Sequence, residues 1–202
     1  MATIHLKISM ALSLALASAV SSATVFPIKG VIEKSNTQIF YVDNTNATDT
    51  KEYTIEIKKW GPGDALTDTS DVVIFPTKVT AKPGKKYAVK VLSKGERGDV
   101  QKTYRVLFSY KTLNASPKAE QQVDINFGYS IPLFVEATGA KTTTVVKAVK
   151  AGKVDFTNMG NSTFKTNKIT VDGKTLDRLT YILPGDTLTL EGSSVELGPV
   201  VD

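Results

Sequence analysis

The chain has 202 residues, with 25 basic against 20 acidic side chains, one histidine and no cysteine. Without cysteine there is no disulfide scaffold, and the lone histidine, His5, lies in a leader-like segment, so the rest of the chain lacks Ser-His and Cys-His catalysis, the usual zinc sites and histidine proton shuttles. With Lys7 of that segment set aside the balance is 24 to 20, too mild and too evenly mixed for a nucleic-acid partner and suited to a solvated, mixed-charge surface.

Residues 1–23, "MATIHLKISMALSLALASAVSSA", carry one lysine, no acid, an apolar core from Ile8 to Val20 and then small residues. This is the pattern of a secretory signal peptide, cut after Ala23 in preference to Ala19. The apolar run is short for a bilayer span, and no later segment is apolar enough to be one, so the exported chain is expected to be soluble with no membrane insertion. Beyond it, strand signals recur at short intervals without a long helical period. "TQIFYVDN" is a β-rich run ending in a turn at Asn44–Asn46, and "EYTIEIKKW" puts Tyr53, Ile55 and Ile57 on one face. "DVVIFPTKVTAKPGKKYAVKVLS" gives two runs broken at Pro83-Gly84, and "KTYRVLFSYKTL" is another strand. Asp64, Asp68 and Asp71 cluster in "GPGDALTDTSD", where a solvated turn is the better reading than a catalytic carboxylate pair.

Next comes "QVDINFGYSIPLFVEA", residues 122–137, in which Val123, Ile125, Phe127, Tyr129, Ile131, Leu133 and Val135 alternate with Asp124, Asn126, Gly128, Ser130 and Pro132. This is a long period-two run with one apolar face. It also holds a proline, which cannot donate a ladder hydrogen bond and suits an edge or the end of pairing. Gly128 would allow close backbone approach or mark a bulge. Near Ala137–Lys141 a small, polar joint follows, and then a second, smaller β unit with a hairpin signal at Asp172-Gly173 and a turn at Pro184-Gly185. The fold class is therefore all-β and sandwich-like, with domains at 24–138 and 139–202 that do not align as a sequence repeat.

The order and spacing of several stretches resemble the PapD-like periplasmic chaperones of the chaperone–usher pilus pathway. "PIKGVI" (27–32) is similar to that family's first strand, a basic residue before a small one and two apolar ones. "YVDNTN", "IEIKKW" closing on Trp60, and "FPTKVTAKPGKKYAVKV" are similar to the strands that follow, and "VDFTNMGNSTF" and "YILPGDTLTL" to parts of the second domain. The resemblance implies two immunoglobulin-like sandwiches, a periplasmic location, and pilus subunits and an outer-membrane usher as partners. The missing histidine and the absence of a convergent acid pair count against an enzyme, and no cofactor or metal is expected. Self-association when free stays open. The resemblance further implies that an edge strand is lent to a subunit lacking its own last strand, which is β-strand addition.

On the residues alone, the odd positions of 122–137 would fill the chain's own core. With the resemblance, Val123, Ile125 and Phe127 are assigned to the client. Tyr129 and Ile131 continue the donor row, while Ile131, Leu133 and Val135 fit own-core packing equally well. The family grips the subunit's terminal carboxylate with two basic residues, a task suited to charge-assisted bonds. Lys29 matches the first of these. The second slot holds Pro132, a departure that suggests a divergent archaic or alternative branch and makes Arg105 the replacement anchor, with Lys90 a weaker candidate. Arg105 and Lys29 also read as ordinary solvated strand residues. Trp60, Tyr104 and Tyr110 read as core in preference to a sugar platform. Asn46, Asn114 and Asn161 fit a glycosylation pattern that a bacterial periplasm would leave idle. The rival readings are a pilus subunit or surface adhesin of the same fold, for which "TVFPIKG" is too short a donor extension, and a carbohydrate-binding module.

Overall fold

A computed structural model describes residues 23–113 and 127–201, with the backbone alone at Phe127. The expected signal segment up to Ser22 lies outside the described residues, as do Asn114, Val123 and Ile125.

Strands β1 (Thr24–Phe26), β2 (Gly30–Ile32), β3 (Thr37–Asp43), β4 (Thr50–Trp60), β5 (Leu66–Thr67), β6 (Val72–Phe75), β7 (Lys78–Ala81), β8 (Lys86–Ser93), β9 (Lys102–Leu113) and β10 (Phe127–Val135) form the first sandwich. One of its sheets runs β1-β3-β8-β6, and the other runs β2-β10-β9-β4-β5 with β7 also on β4. The segment read as two runs broken at Pro83-Gly84 has a further break at Phe75–Pro76. Pro76 has no N–H to continue β6, and the chain crosses there from one sheet to the other.

Period-two patterning fills the space between these sheets. Tyr53 and Ile55 of β4, Val89 and Val91 of β8, Tyr104, Val106 and Phe108 of β9, and Ile131, Leu133 and Val135 of β10 share one core. Phe40 of β3 meets Phe108 edge-on at 6.0 Å across it. Each large side chain buried this way contributes roughly 1.5–3 kcal/mol.

Strands β11 (Val145–Lys150), β12 (Lys153–Asn158), β13 (Phe164–Val171), β14 (Lys174–Ile182), β15 (Thr187–Glu191) and β16 (Val195–Leu197) form a second, smaller pair of sheets, ordered β11-β12-β15 and β14-β13-β16. Val154, Phe156, Phe164, Ile169, Ile182 and Val195 are its core. Asp172-Gly173 closes the β13–β14 hairpin with φ of 47° and 80°, the paired positive values that a two-residue type I′ turn needs.

The two sandwiches share a device that their sequences do not align. Asn44, at the end of β3, is fully buried and its side-chain amide donates to the carbonyls of Asp49 and Ala81 at 2.9 and 2.8 Å. Its carbonyl accepts the Gly84 N–H, and its own N–H goes to Lys85. Asn158, at the end of β12, does the same for Ser162 and Ile182, both at 2.8 Å, while its backbone pairs with Gly185 and Asp186. In each sandwich a buried asparagine thus pins a Pro-Gly turn, satisfying carbonyls that would be costly to bury unpaired.

Candidate functional site

Strand β10 pairs with β9 along its whole length, from Phe127 opposite Tyr110 to Val135 opposite Lys102. On its other side β2 covers only Leu133, Phe134 and Val135, in parallel with Gly30, Val31 and Ile32. The stretch from Phe127 to Pro132 therefore has one edge without a strand partner among the described residues. Beyond the strand end the Glu136 N–H donates to Ile32 O at 2.9 Å. Backbone groups alternate sides along a strand, so those of Gly128, Ser130 and Pro132 point toward this open edge. The missing N–H of Pro132 thus removes nothing from the β9 ladder, and pairing with β2 stops just before it. Gly128 sits in unbroken register, so it marks no bulge, and a Cβ there would come 3.2 Å from Phe108 O. It serves close backbone approach.

The side chains of the stretch divide. Ile131 is 4% exposed and belongs to the chain's own core with Leu133 and Val135. Its assignment as a donor side chain is corrected accordingly: by this point the apolar face of β10 looks into the sandwich, and the Ile131 backbone, opposite Val106, is turned to β9 and not to the open edge. Tyr129 is half-buried, stacks on Tyr110 at 6.5 Å between ring centres, and donates its hydroxyl to Ala23 O at 2.7 Å.

The two basic residues singled out in the sequence fall in one row of the sheet. Gly30 faces Leu133, which places Lys29 beside Pro132, and Pro132 in turn faces Arg105 of β9. A Cβ on Gly30 would point inward at Phe40 and Leu133. Lys29 therefore lies on the outer face, where it lines a cavity with Val31 and Phe134. Pro132, buried in the slot where the resemblance leads one to expect lysine, has a cation on either side. The next residue of the row, Lys58, is already held by Asp68 at 2.7 Å and Glu56 at 3.6 Å.

Arg105 is half-buried, with its guanidinium carbon 3.7 Å from the centre of the Trp60 ring and 5.7 Å from that of Tyr181. It has no ion pair among the described residues, and its one hydrogen bond is a long 3.5 Å contact from Nη1 to Ser130 O. Burial pushes its pKa down, opposed by Tyr181 and Asp64, though a guanidinium stays charged throughout. Trp60 is 3% exposed and packs with Phe134 and Leu183, so it is buried as expected, but at the junction of the two sandwiches and not in either core. Its indole N–H donates to Asp64 at 2.9 Å.

The junction opens as a cleft of about 260 Å³, lined among others by Lys29, Phe134, Glu136, Lys141, Lys165 and Tyr181. Glu136 is buried and is held by Gln101 at 2.9 Å and Lys141 at 3.6 Å, while Lys141 also reaches Glu33 at 3.1 Å. Gln101 extends its other amide atom to the Thr163 backbone and hydroxyl in the second sandwich. Lys29 has no ion pair among the described residues. Tyr181 and Lys165 were not legible as site residues, because nothing local marks a strand residue of one sandwich as facing the other, and Lys141, in the joint between them, carries no local signal either.

The remaining candidates are placed elsewhere. Lys90 is exposed on β8, in the other sheet of the first sandwich. Tyr104 is core, and Tyr110 packs against it half-buried. Asp64 serves Trp60, Asp68 serves Lys58, and Asp71 lies 3.5 Å from the Tyr104 hydroxyl. No metal-binding group of His, Cys, Asp or Glu occurs among the described residues. The Asn161 side chain is engaged by Thr142, Asp99 and Ala140 at the junction.

No protein-family model and no curated protein sequence matches the chain. Solved structures do. A chain of the SafA pilin–SafB chaperone complex from Salmonella enterica superposes with a TM-score of 0.71 at 13% identity, covering 90% of each chain. A chain of the CsuC–CsuE chaperone–tip subunit pre-assembly complex from the archaic Csu pili of Acinetobacter baumannii gives 0.68 at 16% identity, covering 84% of this chain and 90% of that one. The E. coli chaperone DraB gives 0.65 at 16%, covering 87% and 90%. Identities this low speak for architecture: the chain has the fold of the PapD-like pilus chaperones, two immunoglobulin-like sandwiches with an open edge on the first and a cleft between them.

Proposed function

We propose that this protein is an exported, periplasmic assembly chaperone that binds pilus subunits by lending them the edge of β10 and then delivers them to an outer-membrane usher. The observation that carries the reading is the open β10 edge with Lys29 and Arg105 flanking Pro132 on one face. An incomplete subunit domain would pair its groove with the backbone of this edge. Val123, Ile125 and Phe127 would fill successive pockets, and the side chain of Tyr129 would border them. The client's terminal carboxylate would settle between Lys29 and Arg105, which fixes register, because a slip of one residue inverts every side chain. Two structural neighbours are complexes of a chaperone with a pilin or a tip subunit, which supports the same partner class here.

The test is co-production of a candidate subunit with Ile125→Asp, Phe127→Asp, Lys29→Ala and Arg105→Ala chains. Recovery of the subunit from the periplasm should fall in each. Unchanged recovery in all four would refute the reading.

A further inference from the structure

Tyr181 is where the surroundings of the two anchors meet. It lines the cleft that also holds Lys29, and its ring stands 5.7 Å from the Arg105 guanidinium carbon. The same ring meets Trp60 edge-on at 5.3 Å and Phe134 at 6.2 Å. Arg105 itself is not among the residues lining the cavity. Tyr181 comes from β14, in the second sandwich, so the arginine of the first sandwich is boxed by a residue of the other.

Its hydroxyl has no hydrogen-bond partner among the described residues. Burial pushes the phenol pKa up, against the pull of the Arg105 charge, so Tyr181 keeps its proton at neutral pH and is a donor. Other polar groups around the cleft are already engaged: Lys141 by Glu33 and Glu136, and Gln101 by Glu136 and Thr163. A carboxylate has about four acceptor sites, more than one cation on either side of Pro132 will use.

We propose that Tyr181 is the third contact for the client's carboxylate: its hydroxyl donates to an oxygen held beside Lys29, and its ring fixes Arg105 against Trp60. This rests on the anchor reading given above. It adds that recognition of the client's end needs both sandwiches, although the strand that is lent belongs to the first. Arg105 alone, stacked on an aromatic face, would accept an anion from several directions. A fixed phenol donor across the cleft selects a carboxylate at the end of a strand that runs along β10.

The full chain can be titrated with a peptide of alternating valine and threonine, once with a free C-terminal carboxylate and once as the amide. Trp60 is the only tryptophan in the sequence and reports directly from the box. The wild type should prefer the acid to the amide. Tyr181→Phe keeps the ring, so its melting temperature and unliganded Trp60 emission should match the wild type, while the preference should fall about tenfold, the loss of one hydrogen bond to a charged group. Affinity for the amide peptide should not move. An unaltered acid preference in Tyr181→Phe, with the wild type still discriminating, would overturn the role of Tyr181 and leave the anchors standing. A wild type that binds both peptides equally would overturn the anchors, and this inference with them. Binding of neither would overturn the open-edge reading itself.

Discussion

Substituting Gly30 by alanine tests how the open edge of β10 is bounded. Gly30 opens β2 and faces Leu133, the first residue of β10 to have a partner on that side. A Cβ there would stand 2.6 Å from Phe40 Cζ and 2.8 Å from Leu133 Cδ1. Neither neighbour can swing aside, since both are fully buried in the first core. Overpacking of this kind costs about 1–3 kcal/mol, and a sandwich of roughly a hundred residues loses about 4–8 °C per kcal/mol. The strain is best relieved by lifting β2 from β10, which would also displace Lys29. The expected result of Gly30→Ala is a melt lowered by at least about 4 °C, faster hydrogen exchange at the Glu136 amide, which donates to Ile32 O, and weaker subunit retention. A melt and a Glu136 exchange rate equal to the wild type would refute the argument that this glycine is what lets β2 close the end of the edge.

Three other expectations concern the division of labour along the same face. Ile131→Ala should destabilise the free protein by about 2–5 kcal/mol in a thermal or denaturant melt, whereas Ile125→Ala should change it by less than about 0.5 kcal/mol; the reverse order would show that the lent segment had been assigned wrongly. Arg105→Ala removes a guanidinium 3.7 Å from the Trp60 ring, a contact worth about 0.5–2 kcal/mol, and should shift Trp60 emission to the red as water enters the box, an unshifted spectrum counting against the stack. Stability should fall on acidification. The carboxyl pKa values of Asp43 and Asp155 are lowered, Asp43 mainly by hydrogen bonds from Thr45 and Asp155 mainly by one from Lys150; those of Glu33, Glu52 and Asp68 are lowered mainly by hydrogen bonds from Lys141, Lys111 and Lys58. Groups depressed in the folded state bind more protons when unfolded, so their contribution is present above about pH 4 and is lost as pH drops through their folded values. A melting temperature flat across that window, at low salt, would contradict it.

What the sequence made legible was whatever a local pattern carries. Alternation located β4, β8, β9 and the described part of β10, and Asp172-Gly173 announced its hairpin because only a few residue types accept two positive φ values in succession. Pro132 reported an end of pairing before any partner strand was known. The row Lys29–Pro132–Arg105 was half legible: each cation was identified, but their alignment depends on the register of a three-residue strand that lies parallel to β10. Tyr181 was hidden, because the residue that makes it matter lies in another sheet. The matched roles of Asn44 and Asn158 were hidden for a different reason. Each acts on a Pro-Gly turn at its own loop distance, so the equivalence is spatial and has no fixed sequence period.

The composition of the strand edges sets β10 apart and supports the proposal that it is the one lent. Exposed edges invite pairing with other chains, and proteins blunt them with charge, brevity or proline. At the margins of the second pair of sheets, β11 carries Lys147 and Lys150, β14 carries Lys174, Asp177 and Arg178, and β15 and β16 each carry a glutamate. In the first sandwich β1 and β6 are uncharged but span only three and four residues, and Pro76 follows β6 directly. Strand β10 is nine residues long and has no charged side chain anywhere in it. Its one concession is Pro132, placed at the end of the open stretch, so the residues before it keep their backbone groups available. Charge is moved off the strand and onto its flanks, to Lys29 and Arg105. An edge built this way tolerates a partner strand while favouring one that arrives with a negative charge at the Pro132 end, and a strand terminating in its own carboxylate is such a partner.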